Sequence, residues 1–181
     1  MKTPRTCPLF LFIALLVVAP TVYSQASSDA PREKTRERLS ALLTRIGPDL
    51  KVSFQPSSKS PYTFIGMMKE GLTNCESFEI VLFVTDDQQI RIRVFPHYNG
   101  GYVNIDKARN TTQLLRKIAQ LNEGTFLFWG ADDTGDVFTG YTFTLESGFP
   151  DEALRIVLAS IKNSDKFVGQ MRPSIDGTNA P

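Results

Sequence analysis

NTTQLLRKIAQLNEGTFLFWGADDTGDVFTGYTFTLESGFPDEALRIVLASIKNSDKFVGQ, residues 110–170, is the stretch that decides the fold. Asn110 with Gln113 three places on has the form of a capping box, in which a short polar side chain satisfies a free N–H of the first helical turn. Leu114, Leu115, Ile118 and Leu121 then recur at helical spacing, and Asn122-Glu123-Gly124 ends the helix. Phe126 and Phe128 alternate with Leu127 and Trp129, a strand pattern. Asp132-Asp133-Thr134-Gly135-Asp136 turns the chain into a second strand, with Val137, Thr139, Tyr141, Phe143 and Leu145 on one face. Pro150 suits the start of a helix, and Asp151 and Glu152 complement its positive end. Leu154, Val157, Leu158, Ile161 and Val168 form its apolar stripe, which Gly169 is expected to close.

Upstream of this unit the chain alternates by twos. Val52 and Phe54, then Tyr62 to Met68, form short extended pieces. Phe78 to Val84 is apolar on both faces, as a central strand is. Asp86-Asp87-Gln88 makes a turn into a strand with Ile90, Ile92 and Val94 on one side and Arg91 and Arg93 on the other. Asn99-Gly100-Gly101 supplies another hairpin. Ahead of the strands, Leu39, Leu42, Leu43 and Ile46 mark a first helix, with Gly47-Pro48 as its expected stop. The short links favour antiparallel pairing. The expected fold class is therefore α+β: a two-layer twisted antiparallel sheet with helices on one face, in the order α, four or five strands, α, β, β, α.

The first two dozen residues read differently. Lys2 and Arg5 precede an unbroken apolar run from Leu9 to Ala19, and Val22-Tyr23-Ser24 offers small residues where a signal peptidase cuts. Residues 1–24 are expected to be a secretory signal, too short in its apolar part to span a membrane. Export to the periplasm or the extracellular space follows. Residues 25–34 read as a disordered leader, 35–169 as the domain and 170–181 as a disordered polar tail.

Composition narrows the function. Of 20 Lys and Arg against 19 Asp and Glu, the signal holds only Lys2 and Arg5, so the remainder carries one more anion than cations. Such a balance gives no field to gather nucleic acid or an anionic membrane surface. Cys75 alone remains after the signal is removed, which leaves either a small buried side chain or a bridge between two protomers. His97 is the single histidine, so zinc ligation lacks partners, and no nucleophile elbow surrounds a serine. Asp132, Asp133 and Asp136 do not have calcium-loop spacing and are explained by turn chemistry. No catalytic residue, cofactor or metal is expected. Arg91 and Arg93, with Lys107 and Arg109 a hairpin away, read as a charged outer face rather than an anion site. Asn110-Thr111-Thr112 matches a glycosylation sequon, but the helix cap accounts for it. Tyr98, Tyr102 and Trp129, beside glycines at hairpin tips, are candidate partner-binding anchors, although aromatics so placed also close core ends.

Leu121-Asn122, Gly140-Tyr141-Thr142-Phe143-Thr144-Leu145, Phe149-Pro150-Asp151-Glu152-Ala153-Leu154 and Lys166-Phe167 together resemble the C-terminal half of the YbjN-like domain family, in which the last helix ends in an acidic-aromatic patch; Asp165 and Phe167 stand there. The resemblance covers residues 35–169. It implies a fold similar to type III secretion chaperones, often dimeric, used as a protein-binding or regulatory module, with no catalytic residues. The expected function is an exported, non-enzymatic, chaperone-like module that holds a segment of another protein and forms a homodimer. The alternatives are a small hydrolase or a small-ligand sensor on a cone-shaped α+β fold.

Overall fold

The computed structural model describes residues 26–178, with side chains placed from Ala30 onward; the expected signal, 1–24, lies outside the described residues. Helix α1 spans Ala26–Leu50. Five strands follow: β1 Phe54–Pro56, β2 Thr63–Met68, β3 Ser77–Val84, β4 Gln89–Tyr98 and the two-residue β5 Gly101–Tyr102. Helix α2 covers Thr111–Gly124, then come β6 Phe128–Ala131 and β7 Val137–Thr144. Helix α3, Asp151–Ser160, passes through a 3-10 turn, Ile161–Ser164, into α4, Asp165–Asp176, so the last three make one helical run.

All strand pairs are antiparallel, in the order β1-β2-β3-β4-β7-β6, with β5 folded back on the end of β4. The long hairpin partners β3 and β4 sit in the middle of the sheet; β3 has apolar residues facing both ways, while β4 is apolar toward the helices and carries Arg91 and Arg93 on its other side. Pairing Ile80 with Val94, Leu82 with Ile92 and Val84 with Ile90 puts six buried side chains on one face. There they meet Leu39, Leu42, Leu43 and Ile46 of α1, Leu114, Ile118 and Leu121 of α2, and Leu154, Val157, Leu158, Val168 and Met171 of the final run. This is one contiguous core, and it holds an α+β fold of the kind expected. Helix α1 packs beside α3, and α2 beside α4. Among the described residues no helix is long and apolar enough to cross a membrane.

Three boundaries differ from expectation. The leader is helical from Ala26, and Arg32 docks it: its Nε and Nη2 both donate to the Val84 carbonyl, and its guanidinium stacks 3.7 Å from the Tyr62 ring centre. Helix α1 does not stop at Gly47-Pro48. Pro48 lies in its last turn, and Lys51 takes the left-handed conformation at φ 55°. The Val52 N–H then reaches the Gly47 carbonyl and the Lys51 N–H the Pro48 carbonyl, the paired closure of a Schellman motif. Finally, Gly169 does not end the last helix, and the expected disordered tail is helical to Asp176. Met171 and Ser174 are buried there, and left-handed Gly177 supplies the stop. The backbone N–H groups of Arg109 and Asn110 donate to the Ile175 and Ser174 carbonyls and hold this end down. The Asn110 cap is as read from the sequence, its side chain accepting from the Gln113 N–H at 3.0 Å.

Candidate functional site

The helices cover one face of the sheet, and most side chains of the opposite face lie outside the core beneath the helices, although Phe138 there is buried. Strand alternation places Ile65 and Met67 of β2, Glu79, Val81 and Phe83 of β3, and Arg91, Arg93 and Phe95 of β4 on that open face, all partly exposed. Opposite them in the ladder, Phe128, Phe138 and Gly140 complete it. Phe95, Phe138 and Phe128 form a chain of ring contacts at 5.7 and 5.6 Å, and Tyr102 meets Phe95 edge-on at 5.8 Å. Phe128 is 42% and Tyr102 37% exposed. Gly140 lies directly across from Phe128, and a Cβ there would collide with the Ile92 carbonyl, so the ring covers backbone that could carry no side chain.

Arg93 stands in the middle of these rings. Its guanidinium lies 4.7 Å from the Phe138 centre and 5.7 Å from Phe83, a cation–π arrangement, and it makes no ion pair among the described residues. Arg91 differs: it donates to Gln89 and pairs with Asp87 at 3.7 Å. The face read as charged therefore also carries aromatic and aliphatic side chains; Glu79 and Arg91 have polar partners there, and Arg93 has no ion pair among the described residues. The chemistry of this face is contact chemistry.

The three aromatic candidates part company. Tyr102 sits on the open face, its hydroxyl donating to Glu79 at 2.8 Å; burial and that carboxylate push its phenol up to about 12. Tyr98 lies toward α4, where its hydroxyl donates to Asp176 and accepts from Arg172. Both line an open cleft of about 540 Å³ with Lys107 and Arg109. Trp129 is buried, 3% exposed, with its ring edge-on to Phe167, so it offers nothing to a partner on this surface. Asn122 explains its orientation: its side-chain amide exchanges hydrogen bonds with the Trp129 backbone N–H and carbonyl, extending the β6 ladder by a side chain.

The titratable residues do not converge. Among the described residues no three of His, Cys, Asp and Glu gather as metal ligands would. Asp132 accepts at Oδ1 from the Thr134 backbone and hydroxyl and from the Asp136 N–H, while Asp136 accepts from buried Asn104, so these carboxylates serve the turn. Burial pushes the Asp132 carboxyl up, and those donors hold it lower still than its ordinary range. The His97 Nε2 is buried without a hydrogen-bond partner among the described residues, and its ring meets Tyr102 at 4.3 Å. Cys75 is half-buried and is more than a small hydrophobe, because its thiol donates to Asp165 at 3.2 Å.

Asp165, which local sequence marks only as part of a helix-end patch, is the one buried acid among the described residues, 5% exposed. It accepts the backbone N–H groups of Thr73, Asn74 and Cys75 and the side chains of the same three residues. Burial raises its pKa, but these donors outweigh burial and hold it down at about 2. A general base needs a raised pKa and a free lone pair. This carboxylate has neither, so it is a structural staple. Comparison with family models, with curated proteins and with solved structures finds no match for this chain.

Proposed function

We propose that this protein is an exported, non-enzymatic protein-binding module, chaperone-like in its fold and related to the YbjN-like domains, that works as a homodimer and docks a segment of another protein on its helix-free sheet face. One observation carries the reading: the helix-free side of the sheet is lined by Ile65, Met67, Val81, Phe83, Phe95 and Phe128, packed around the buried Phe138 ring. Contiguous apolar surface of that kind marks interaction sites. Arg93 sets the chemistry of the occupant. An unpaired guanidinium among aromatic rings suits a carboxylate flanked by apolar side chains, so the partner segment is apolar with an acidic residue. Strand addition is the poorer route, because the sheet edges β1 and β6 are three and four residues long and β1 ends in Pro56.

The hydrolase alternative draws no support from Asp165, the one buried acid among the described residues. Asp165 lies in a cradle of donors, not in an apolar hollow.

The test uses the tagged protein as bait against the exported fraction, beside Arg93→Glu, Phe83→Ser and a helix-side control, Ile156→Ser, at an exposed position. A protein retained by the parent and the control and lost from both face variants is the expected result. Recovery of the same proteins by all four baits, or of none by the parent, overturns the proposal. Light scattering of the same samples tests the homodimer separately; a dimer dissolved by the face variants assigns the face to a second copy instead.

A further inference from the structure

Away from the open face, the chain leaves α2 through Thr125 and Phe126, and this link faces the junction of α3 and α4 across a cavity of about 250 Å³. The walls are aromatic and aliphatic. Trp129 and Phe167 stand edge to face, with ring centres 6.2 Å apart, and buried Leu127 adds to them. Phe126 also lines the cavity yet is 59% exposed, an unusual place for a large ring.

Two polar facts give the cavity a sign. The Trp129 indole N–H is buried and has no acceptor among the described residues. Orphan donors of that kind are rare in a native fold. Lys166, at the same cavity, holds its ammonium 4.8 Å from the Phe167 ring and forms no salt bridge among the described residues. No residue lining the cavity carries a carboxylate. Asp165, the neighbour of Lys166, has its oxygens turned to Thr73, Asn74 and Cys75 and supplies no counter-charge there. The pocket therefore has aromatic and aliphatic walls, no carboxylate in its lining, and one cation without a salt bridge among the described residues.

We infer that this cavity binds a small amphiphilic carboxylate, an alkanoate or arylalkanoate, with its tail against Trp129 and Phe167 and its carboxylate at Lys166. The size fits such a molecule: sites for drug-sized ligands run from roughly 300 to 1,000 Å³, so the occupant is smaller than those. The charge fits as well: the ammonium of the exposed Lys166 side chain lies against the Phe167 ring at the mouth of the cavity, where a carboxylate whose tail fills the apolar walls would pair with it. The site is distinct from the helix-free face and does not depend on what docks there.

Trp129 is the single tryptophan of the sequence, so intrinsic fluorescence reports on this wall alone. The purified protein is titrated with sodium octanoate, kept below its micelle-forming concentration, and in parallel with the neutral octan-1-ol. The expected result is a saturable change in Trp129 emission with octanoate. Lys166→Gln, a change at an exposed side chain that leaves the fold intact, weakens octanoate by at least about tenfold and leaves octan-1-ol unchanged. Phe126→Ser, also at an exposed position, weakens both ligands. Absence of saturation in the parent protein, or equal octanoate binding by the parent and Lys166→Gln, overturns the assignment.

Discussion

Asp165 and Asn74, 91 residues apart in the chain, are joined three times over: the Asn74 backbone N–H donates to both carboxylate oxygens at 3.0 Å, and its side-chain amide donates to one of them at 2.9 Å. Thr73 and Cys75 on either side complete the cradle. The loop before the central strand β3 is thus tied to the first turn of α4, and the tie needs a charge. A carboxylate held at about 2 in the folded protein against an ordinary 3.8 favours folding above that ordinary value, and the contribution is lost as pH falls through the folded one. The window is pH 4 down to 2. Allowing for solvent screening, the effect is about 1–2 kcal/mol. Urea unfolding of the protein and of Asp165→Asn at pH 6 and pH 2.5 checks it. The parent is the more stable at pH 6 and loses most of that lead at pH 2.5; a lead independent of pH would show that the charge is not what matters.

Gly169 faces the same loop. Inside a helix, alanine is better than glycine by about 1 kcal/mol. Here a Cβ would press well inside contact distance of the Asn74 side-chain oxygen, and Asn74 cannot swing aside without leaving Asp165. Gly169→Ala is expected to destabilise by about 1–3 kcal/mol, the reverse of its helical propensity. In an Asn74→Ala background the obstruction is gone, and the same change becomes neutral or stabilising. The double-mutant cycle, read by denaturant midpoints, decides; an unchanged cost in both backgrounds would place the clash elsewhere.

Cys75 is the third residue of this cradle, and its chemistry follows from its neighbour. Burial first, and then the hydrogen bond to the Asp165 carboxylate, pushes the thiol well above its ordinary range. The thiolate is the reactive form, so the folded protein keeps Cys75 inert at pH 8. In a Cys7→Ser background, Ellman's reagent is expected to label it at least about a hundredfold more slowly in buffer than in urea. A disulfide bridge between protomers through Cys75 would require this loop to open, and a reducible dimer on a non-reducing gel of freshly prepared protein would contradict the inert thiol.

What the sequence disclosed, and what it hid, divides by distance along the chain. The stripes Leu39–Ile46, Leu114–Leu121 and Leu154–Ile161 and the turns at Asp86 and Asn99 are local patterns, and the structure has an element at each. The open face was half legible: Arg91 and Arg93 alternate outward by simple parity, but the Phe138 ring reaches Arg93, and Phe128 reaches Phe138, only because β7 pairs with β4 and β6 with β7. The role of Gly169 was misread for the same reason. Nothing within ten residues reveals that Asn74 fills the place of its side chain. Asp165 looked like part of a helix-end patch, since six donors drawn from residues 73–75 leave no mark on its own neighbourhood. The last turns of α4 were hidden behind Gly169 and Pro173, two residues that ordinarily end a helix, while their capping groups sit at Arg109 and Asn110.

The start of α1 offers a direct test of a boundary that local pattern placed at residue 35. Arg32 lies ahead of that point, yet its guanidinium reaches the Val84 carbonyl at the end of β3 at 2.8 and 3.1 Å, covers Tyr62 and pairs with Asp86. Val84 closes the long central hairpin, so this single side chain links the first helix to the turn between β3 and β4. The pair with Asp86 adds little, because that carboxylate is almost fully exposed. The carbonyl contact is charge-assisted and half-buried, and with the stacking on Tyr62 it contributes about 1–3 kcal/mol. Arg32→Ala is expected to lower stability by that amount, and Arg32→Lys to recover only a minor part, since an ammonium cannot both fork onto a carbonyl and lie flat on a ring. Asp86→Asn should change almost nothing. Denaturant midpoints for the three variants separate the contributions, and equal losses for Arg32→Ala and Asp86→Asn would move the stabilisation from the carbonyl and the ring to the surface ion pair.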